Sequence, residues 1–197
     1  TTAKSFGLEM HLLTPKEAQH LWPLMEIDDV VGAAFLPTDG QANPSDITMA
    51  LARGARMHGA TICEDTEVLR IEVEAGVIKA VVTVAPDGSE GRIECEKVVV
   101  CGGQWTRALC ATVGVNVPLV PVEHQYVITE QFTPEVPRNL PTLRDPDRLT
   151  YYKEEVGGLV MGGYEPNPIP WAVAGIPRPF QFQLLEIDWL DTMRQVG

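Results

Sequence analysis

The chain has 197 residues, 45% hydrophobic and 21% charged, a composition typical of a soluble globular protein with one large or two small domains. Its net charge of −12 at pH 7 argues against a nucleic-acid or anionic-membrane partner, because both demand a positively charged face. No apolar stretch approaches the roughly 20 residues that span a bilayer, so we expect no transmembrane segment.

The cysteines are Cys63, Cys95, Cys101 and Cys110, and none forms a CxxC pair or lies at metal-ligand spacing from a histidine. We therefore predict no metal site and reduced, structural thiols in an intracellular protein, either cytoplasmic or in the mitochondrial matrix. The chain begins Thr-Thr-Ala-Lys without a signal peptide, which indicates a piece of a longer protein. A processed start or a lost tag would look the same.

Two helix starts are visible in the first 60 residues. The run Thr14-Pro15-Lys16-Glu17 predicts a helix opened by a capping box and stopped early at Pro23. Residues 31–36 then predict a short buried strand. Asn43 is a second predicted cap, and its helix is expected to end near Gly59.

The pattern next changes to strands. Residues 61–63 predict a short strand, and residues 68–73, 77–84 and 91–95 alternate as expected for an antiparallel meander. Residues 97–101 predict a further strand. The unbroken apolar run that follows Lys97 favours a strand buried on both faces, as in a parallel sheet.

Gly102 and Gly103 follow that apolar run at once and precede a helix expected to end at Gly114. Glycines at the carboxyl end of a buried strand let the backbone approach a ligand. A tight strand-to-helix turn that binds nothing would have the same pattern, so both interpretations stay open.

The second half is richer in proline. Residues 119–129 predict a long strand, and residues 133–148 a loop. Tyr151-Tyr152 and Leu159–Tyr164 are typical of hairpin arms that turn at Gly157-Gly158.

A proline-rich crossing at 166–179 leads to a predicted amphipathic helix at 181–193. The order of elements along the chain predicts an α+β fold, in which an α/β portion is interrupted by sheet-rich material.

Polar aromatic residues on the predicted strands are the candidate site. Alternation places His124 and Tyr126 on one face, where the histidine could bind substrate or accept a proton. Tyr151, Tyr152 and Glu165 lie in a hairpin that could pair with that strand. The alternatives are a hydrogen-bonded strand histidine, packing tyrosines and a solvated carboxylate.

GxGxxG, P-loop, GxSxG and HExxH motifs are absent from the sequence. The chain nevertheless resembles the dimethylglycine and sarcosine dehydrogenases, which are D-amino-acid-oxidase-like flavoproteins, over roughly residues 7–170. The resemblance is carried by an ordered set of segments, namely residues 7–18, 35–46, 64–68, 98–105, 118–126, 151–155 and 162–166.

The resemblance implies an FAD cofactor. Val68 would meet the adenine part through its backbone. Cys101, Gly102, Gly103 and Trp105 would lie near the dinucleotide, where related chains have a turn of small residues.

The resemblance also implies hydride transfer from an N-methyl carbon to FAD, which gives an iminium. It assigns catalytic roles to Tyr152 and His124, and substrate-binding roles to Tyr126, Tyr151 and Glu165. Similar monomeric sarcosine oxidases have a histidine at the position of Glu165. Positioning a cationic amine is therefore the expected role of Glu165.

These expectations divide the chain into three parts. Residues 1–44 would lead into the substrate domain, residues 45–115 would be part of an FAD-binding Rossmann-like domain that contains the meander, and residues 116–197 would form the substrate-binding sheet and a final helix. The family's dinucleotide fingerprint, its flavin-attaching histidine, its later glycine-rich segment and its often-fused folate-binding domain are not in this sequence. We therefore expect the isolated chain neither to retain FAD nor to turn over a small methylated amino acid.

Two alternatives remain. One is another flavin enzyme, such as a glycine oxidase or a deaminating amino-acid oxidase. The other is a non-catalytic binding module derived from this domain.

Overall fold

The computed structural model describes residues 2–181 and 183–186, and it mixes helix and sheet, as predicted. The helices in this part of the chain are α1 (Thr2–Ser5), α2 (Pro15–Leu21), α3 (Pro44–Met57) and α4 (Thr106–Ala111), with a 3-10 turn at Gly103–Trp105. The strands are β1 (His11–Leu13), β2 (Ala33–Phe35), β3 (Glu67–Glu74), β4 (Val77–Val84), β5 (Glu90–Glu94), β6 (Tyr126–Ile128), β7 (Leu143–Asp145), β8 (Thr150–Glu155) and β9 (Gly158–Gly163).

The described residues group into two compact units. One unit contains the residues up to Ile47 together with His124–Pro166, and the other contains Thr48–Glu123 together with Asn167–Glu186. Among the residues described, no helix is both long and apolar enough to cross a membrane.

The first unit is built on a four-stranded antiparallel sheet with the strand order β6-β9-β8-β7. The predicted hairpin is confirmed as β8 and β9. The turn lies one residue earlier than predicted, at Val156 and Gly157, because Gly158 pairs with Glu155 as the first residue of β9. Both turn residues have positive φ, as a two-residue turn matched to strand twist requires. Strand β7 lies inside the segment predicted to be a loop, and β6 is much shorter than the predicted strand over 119–129.

The core of the first unit lies on one face of this sheet. Trp22 is 5% exposed, and its indole Nε1 donates to the carbonyl of Pro141 at 2.8 Å. It clusters with Val136 and Leu159. Partly buried side chains complete the cluster, namely Met25, Leu140, Leu143, Tyr152 and Met161.

The predicted helix ends are confirmed. The Thr14 side chain accepts from the backbone N–H of Glu17, whose carboxylate in turn accepts from the backbone N–H of Thr14, so the capping box is complete. Asn43 caps α3 by accepting from two backbone N–H groups. Gly59, at φ +88°, follows the end of α3 in the left-handed conformation that glycine adopts without strain.

The second unit contains the predicted meander, with the antiparallel order β3-β4-β5. Ala80 and Val82 on the central strand are buried. On the same face Arg92 pairs with Glu72 and Glu94 at 2.8 Å each, so long charged side chains flank the two small apolar ones.

Three predicted elements are not formed as expected. Residues 97–101 are not a buried strand, and Val99 is 85% exposed. Residues 61–63 also lack strand structure. A strand needs hydrogen-bonding partners, and no described segment pairs with either run. In the predicted helix at 181–193, residues 183–186 are not helical, and residues 182 and 187–193 lie outside the described part.

Candidate functional site

The polar face of the four-stranded sheet carries the candidate site. The register aligns Tyr126 on β6 with Gly162 on β9, and Gly162 with Tyr151 on β8. Tyr151 is in turn opposite Arg144 on β7. Because residues in one cross-strand row share a face, these side chains lie on one side of the sheet.

The adjacent row faces the core. Tyr152 is opposite Met161 and Leu143, and its ring packs edge-on against Trp22 with centroids 6.2 Å apart. Tyr152 is therefore on the opposite side of the sheet from Tyr151. The structure separates these two predicted site residues because neighbours in a strand point to opposite faces.

A chain of polar contacts connects Tyr151, His124 and Glu165. The phenol Oη of Tyr151 lies 3.3 Å from Nε2 of His124, and Nδ1 of His124 lies 3.2 Å from a carboxylate oxygen of Glu165. A carboxylate only accepts, so Nδ1 carries the proton in this arrangement. In the neutral ring Nε2 is then the acceptor, and the Tyr151 hydroxyl donates to it.

Glu165 is held on both sides by protein groups. Its second oxygen accepts from the backbone N–H of Gln125 at 3.3 Å, and its side chain is 11% exposed. One oxygen contacts the imidazole and the other is held by the backbone of Gln125, so the carboxylate orients His124.

Aromatic contacts extend the cluster to Tyr164. The ring centroid of Tyr164 lies 5.8 Å from that of His124 and 5.5 Å from that of Tyr151, and the rings of His124 and Tyr151 stack at 6.1 Å. Tilted and offset contacts at these separations are favourable. Tyr126 is on the same face and is 53% exposed.

The environment of Tyr151 favours its neutral form. Burial is the largest cause that raises the pKa of its phenol, and the neighbouring Tyr164, Glu165 and Tyr126 raise it further. The phenol therefore stays protonated near neutral pH and acts as a hydrogen-bond donor.

Arg144 is a cation at the edge of this cluster. Its guanidinium carbon lies 4.8 Å from the centroid of the Tyr164 ring, and one of its nitrogens donates to the Tyr164 hydroxyl. In the described part of the chain Arg144 has no carboxylate partner, whereas Lys153 on the same face pairs with Glu155 at 2.7 Å. The remaining guanidinium donors of Arg144 are available to an anion.

Arg144 was not predicted as a site residue, because residues 133–148 were predicted to form a loop. Tyr164 was predicted as the last residue of a hairpin arm and was given no role in the site. Alternation gives a signal for both, since Tyr164 is two residues from Gly162, and Arg144 is opposite Tyr151 once β7 is recognised.

The residues predicted to contact a cofactor lie in the second unit. Gly103 has φ +51°, and nothing lies within 4 Å of the position that a Cβ would take there. Cys101 is exposed, as are Val68 and Trp105, at 37% and 46%. At Gly102 a Cβ would lie 3.4 Å from the hydroxyl oxygen of Thr106, so the open space is at Gly103. Cys101, Val68 and Trp105 are accessible to a ligand. No group of residues that could hold a metal occurs in the described ranges.

Comparisons with known proteins give the family. The chain is 37% identical to human mitochondrial sarcosine dehydrogenase over 186 residues, which is 94% of this chain and 20% of that protein. It is 31% identical to rat mitochondrial dimethylglycine dehydrogenase, covering 91% of this chain and 21% of that protein. It thus spans about a fifth of the length of these curated relatives.

A solved structure is similar over nearly the whole chain. The crystal structure of L-proline dehydrogenase from P. horikoshii matches 98% of this chain and 47% of its own, with a TM-score of 0.73 and 28% identity. The family model for FAD dependent oxidoreductases, DAO, matches residues 2–193. The chain belongs to the DAO family of FAD-dependent oxidoreductases.

Proposed function

We propose that this chain is the substrate side of an enzyme that oxidatively demethylates a small N-methylated amino acid, either sarcosine or dimethylglycine. The observation that carries the proposal is the Tyr151–His124–Glu165 hydrogen-bond chain on an exposed aromatic face. FAD, when bound, supplies the hydride acceptor. The residues of this chain bind the amine, orient it and move its proton.

The substrate ammonium must lose a proton before its N-methyl carbon can lose a hydride. An alkyl ammonium has a pKa of about 10, as for lysine, and its nitrogen has no lone pair to assist loss of hydride from the neighbouring carbon. His124 Nε2 takes the hydroxyl proton of Tyr151 while that oxygen takes the ammonium proton. Glu165 stabilises the imidazolium that forms.

Substrate binding uses both charges of the amino acid. The exposed ring of Tyr126 and the phenol of Tyr151 offer π-faces and oxygen atoms to a methylated ammonium. The free donors of Arg144 suit the carboxylate. This pairing favours a zwitterionic amino acid over a simple amine.

Two of the roles expected from the resemblance are thereby reassigned. We propose Tyr151 as the catalytic phenol, since the ring of Tyr152 packs against Trp22 in the core. Glu165 becomes a positioning residue because both of its oxygens are occupied by His124 and Gln125.

The cofactor contacts remain those of the resemblance. We propose that the backbone of Cys101, Gly102 and Gly103 lies along the dinucleotide, with open space at Gly103. Val68 and Trp105 would supply apolar contact. The domain division at residues 45–115 and 116–197 rests on the same assignment.

The direct test uses the longest native polypeptide that contains this chain, loaded with FAD. Sarcosine, dimethylglycine and glycine are offered as substrates to the wild type, Tyr151→Phe and His124→Asn. We expect turnover of the N-methylated amino acids and a large loss of kcat in both variants. Oxidation of glycine but not of N-methylated amines would overturn the proposal in favour of a primary-amine oxidase. Absence of any flavin-dependent turnover would favour a binding module.

A separate test concerns the chain by itself. We propose that it retains no FAD, because the dinucleotide fingerprint GxGxxG is not in its sequence. Flavin absorbance after gel filtration of the purified chain with excess FAD measures this, and stoichiometric bound flavin would overturn it.

By analogy with the two mitochondrial relatives, we propose the mitochondrial matrix as the compartment. Imaging of the tagged native polypeptide tests this, and exclusion of the tag from mitochondria would contradict it.

A further inference from the structure

Gly162 stands at the centre of the site, in the interior of β9 between Tyr126 and Tyr151. Glycine is unfavourable inside a strand, because it loses more backbone entropy on folding than any other residue and contributes no side chain to the packing of the sheet. The backbone does not require it, since Gly162 is absent from the described residues with positive φ. Another reason is needed for a glycine at this position.

The reason is the ring of Tyr151. A Cβ on Gly162 would overlap Cζ and Oη of that ring and would lie 2.6 Å from Cε1. Real Cβ contacts essentially never come so close. The phenol end of Tyr151 therefore lies over β9, in the space that any side chain at position 162 would fill.

The same geometry brings the phenol to His124. From the slot above Gly162 the hydroxyl of Tyr151 reaches Nε2 of His124 at 3.3 Å, while the ring stays in contact with that of Tyr164 at 5.5 Å. A ring pushed off the sheet or turned to another rotamer would lose this contact. His124 would keep its separate hydrogen bond to Glu165.

We propose that Gly162 is a positioning residue, whose missing side chain forms the slot that holds the Tyr151 phenol against His124. The catalytic meaning of this contact rests on the function proposed above, whereas the positioning itself does not. The size of the residue at position 162 thus determines whether the Tyr151 hydroxyl reaches His124.

The test compares Gly162→Ala with Tyr151→Phe by ¹⁵N NMR of the histidine side chains in the full chain. We expect the Nε2 signal of His124 to shift in Gly162→Ala as it does in Tyr151→Phe, while the Nδ1 signal stays in place. Gly54→Ala is the matched control, because a Cβ at that position of α3 meets nothing within 4 Å. A wild-type Nε2 signal in Gly162→Ala would overturn the proposal.

A double variant keeps the test decisive if Gly162→Ala is unstable. Removing the ring removes the clash, so Gly162→Ala should destabilise the wild type but cost little in a Tyr151→Ala background. Equal destabilisation in both backgrounds would show that the glycine serves another purpose, and would overturn the proposal.

Activity separates this inference from the proposed function. In the FAD-loaded native polypeptide we expect Gly162→Ala to lower kcat about as much as Tyr151→Phe, with a smaller effect on KM. If both variants break the contact with His124 and still oxidise N-methyl amines normally, the positioning stands and the proposed catalytic role fails. If Gly162→Ala leaves the contact intact while Tyr151→Phe loses activity, the positioning fails and the catalytic role stands.

Discussion

The phenol of Tyr151 donates to Nε2 of His124 across 3.3 Å, although the two residues are 27 positions apart in the chain. Tyr151 is on β8, and His124 lies two residues before β6. Strand β9 brings the two residues together, because β6 and β8 pair with its two edges. His124 is fixed from its other side by Glu165. The contact thus depends on three separate segments, and substitutions in each segment can test it.

Replacing either of the two adjacent tyrosines distinguishes the faces of β8. Tyr151→Phe removes the donor to His124, and loss of a group that takes part in proton transfer typically costs roughly 10²–10⁴-fold in rate. Tyr152→Phe removes a hydroxyl from a ring that packs against Trp22, so we expect activity close to that of the wild type. Steady-state kinetics of the FAD-loaded native polypeptide measure both. A larger loss in Tyr152→Phe would contradict the assignment.

Glu165→Gln should reverse the tautomer of His124. In this variant the amide oxygen at position 165 still accepts from the backbone N–H of Gln125. The amide N–H₂ at position 165 then faces Nδ1 of the imidazole and donates to it. The proton then moves to Nε2, which can no longer accept from Tyr151. Side-chain ¹⁵N NMR of His124 reports the change directly.

Glu155→Gln is the matched control for that variant. It also removes a carboxylate from the sheet, but its partner is Lys153. We expect the His124 tautomer to be unchanged there. The positioning role of Glu165 would be wrong if Glu165→Gln left Nδ1 protonated.

The raised pKa of Tyr151 predicts a loss of stability in alkali. Above about pH 10 the unfolded chain releases the phenol proton while the folded chain still holds it, so the free energy of unfolding falls as pH rises toward the folded-state pKa. Urea unfolding between pH 9 and pH 11 measures the slope. Tyr151→Phe should reduce it, whereas Tyr152→Phe, whose phenol lies on the opposite face of the sheet and does not act on Tyr151, leaves the Tyr151 contribution in place. Equal slopes in the wild type and Tyr151→Phe would refute the prediction.

Trp22 should dominate the stability of the first unit. Trp22→Ala removes a buried indole and its hydrogen bond to Pro141, at an expected cost of about 3–5 kcal/mol. Leu24→Ala is a nearby control at a side chain that is 46% exposed, where we expect a change within about 0.5 kcal/mol. Urea denaturation followed by circular dichroism measures both variants. Comparable effects at the two positions would show that Trp22 is not the centre of the core.

Thr14 tests the capping box of α2. Thr14→Ala leaves the backbone N–H of Glu17 without its acceptor and should destabilise the first unit by about 1 kcal/mol. Thr14→Ser keeps the hydroxyl and should restore most of the loss. The backbone N–H of Thr14 is the largest cause that lowers the pKa of Glu17, and the Thr14 hydroxyl lowers it further. The alanine variant loses the hydroxyl contribution, so this carboxyl should titrate at higher pH there. An unchanged Glu17 titration would argue against the box.

Features that depend on neighbouring residues were predictable from sequence. The capping box needs only Thr14 and Glu17, and the β8–β9 hairpin needs only alternation on each side of Gly157. The run 97–101 was predicted wrongly, because an apolar strand forms only where a partner strand supplies hydrogen bonds. Strand β7 was missed because its three residues lie in a proline-rich segment and are stabilised by pairing with β8.

The sequence by itself determined the family, through ordered short segments, and it determined that Tyr151 and Tyr152 point to opposite faces of a strand. Only the tertiary structure decided which of the two belongs to the site. Trp22 packs on one face of the sheet against the partly buried Tyr152, which leaves Tyr151 on the face with His124. The physical reason is that alternation sets relative direction from local geometry alone, whereas the choice of the buried face depends on which distant apolar residues pack against the sheet.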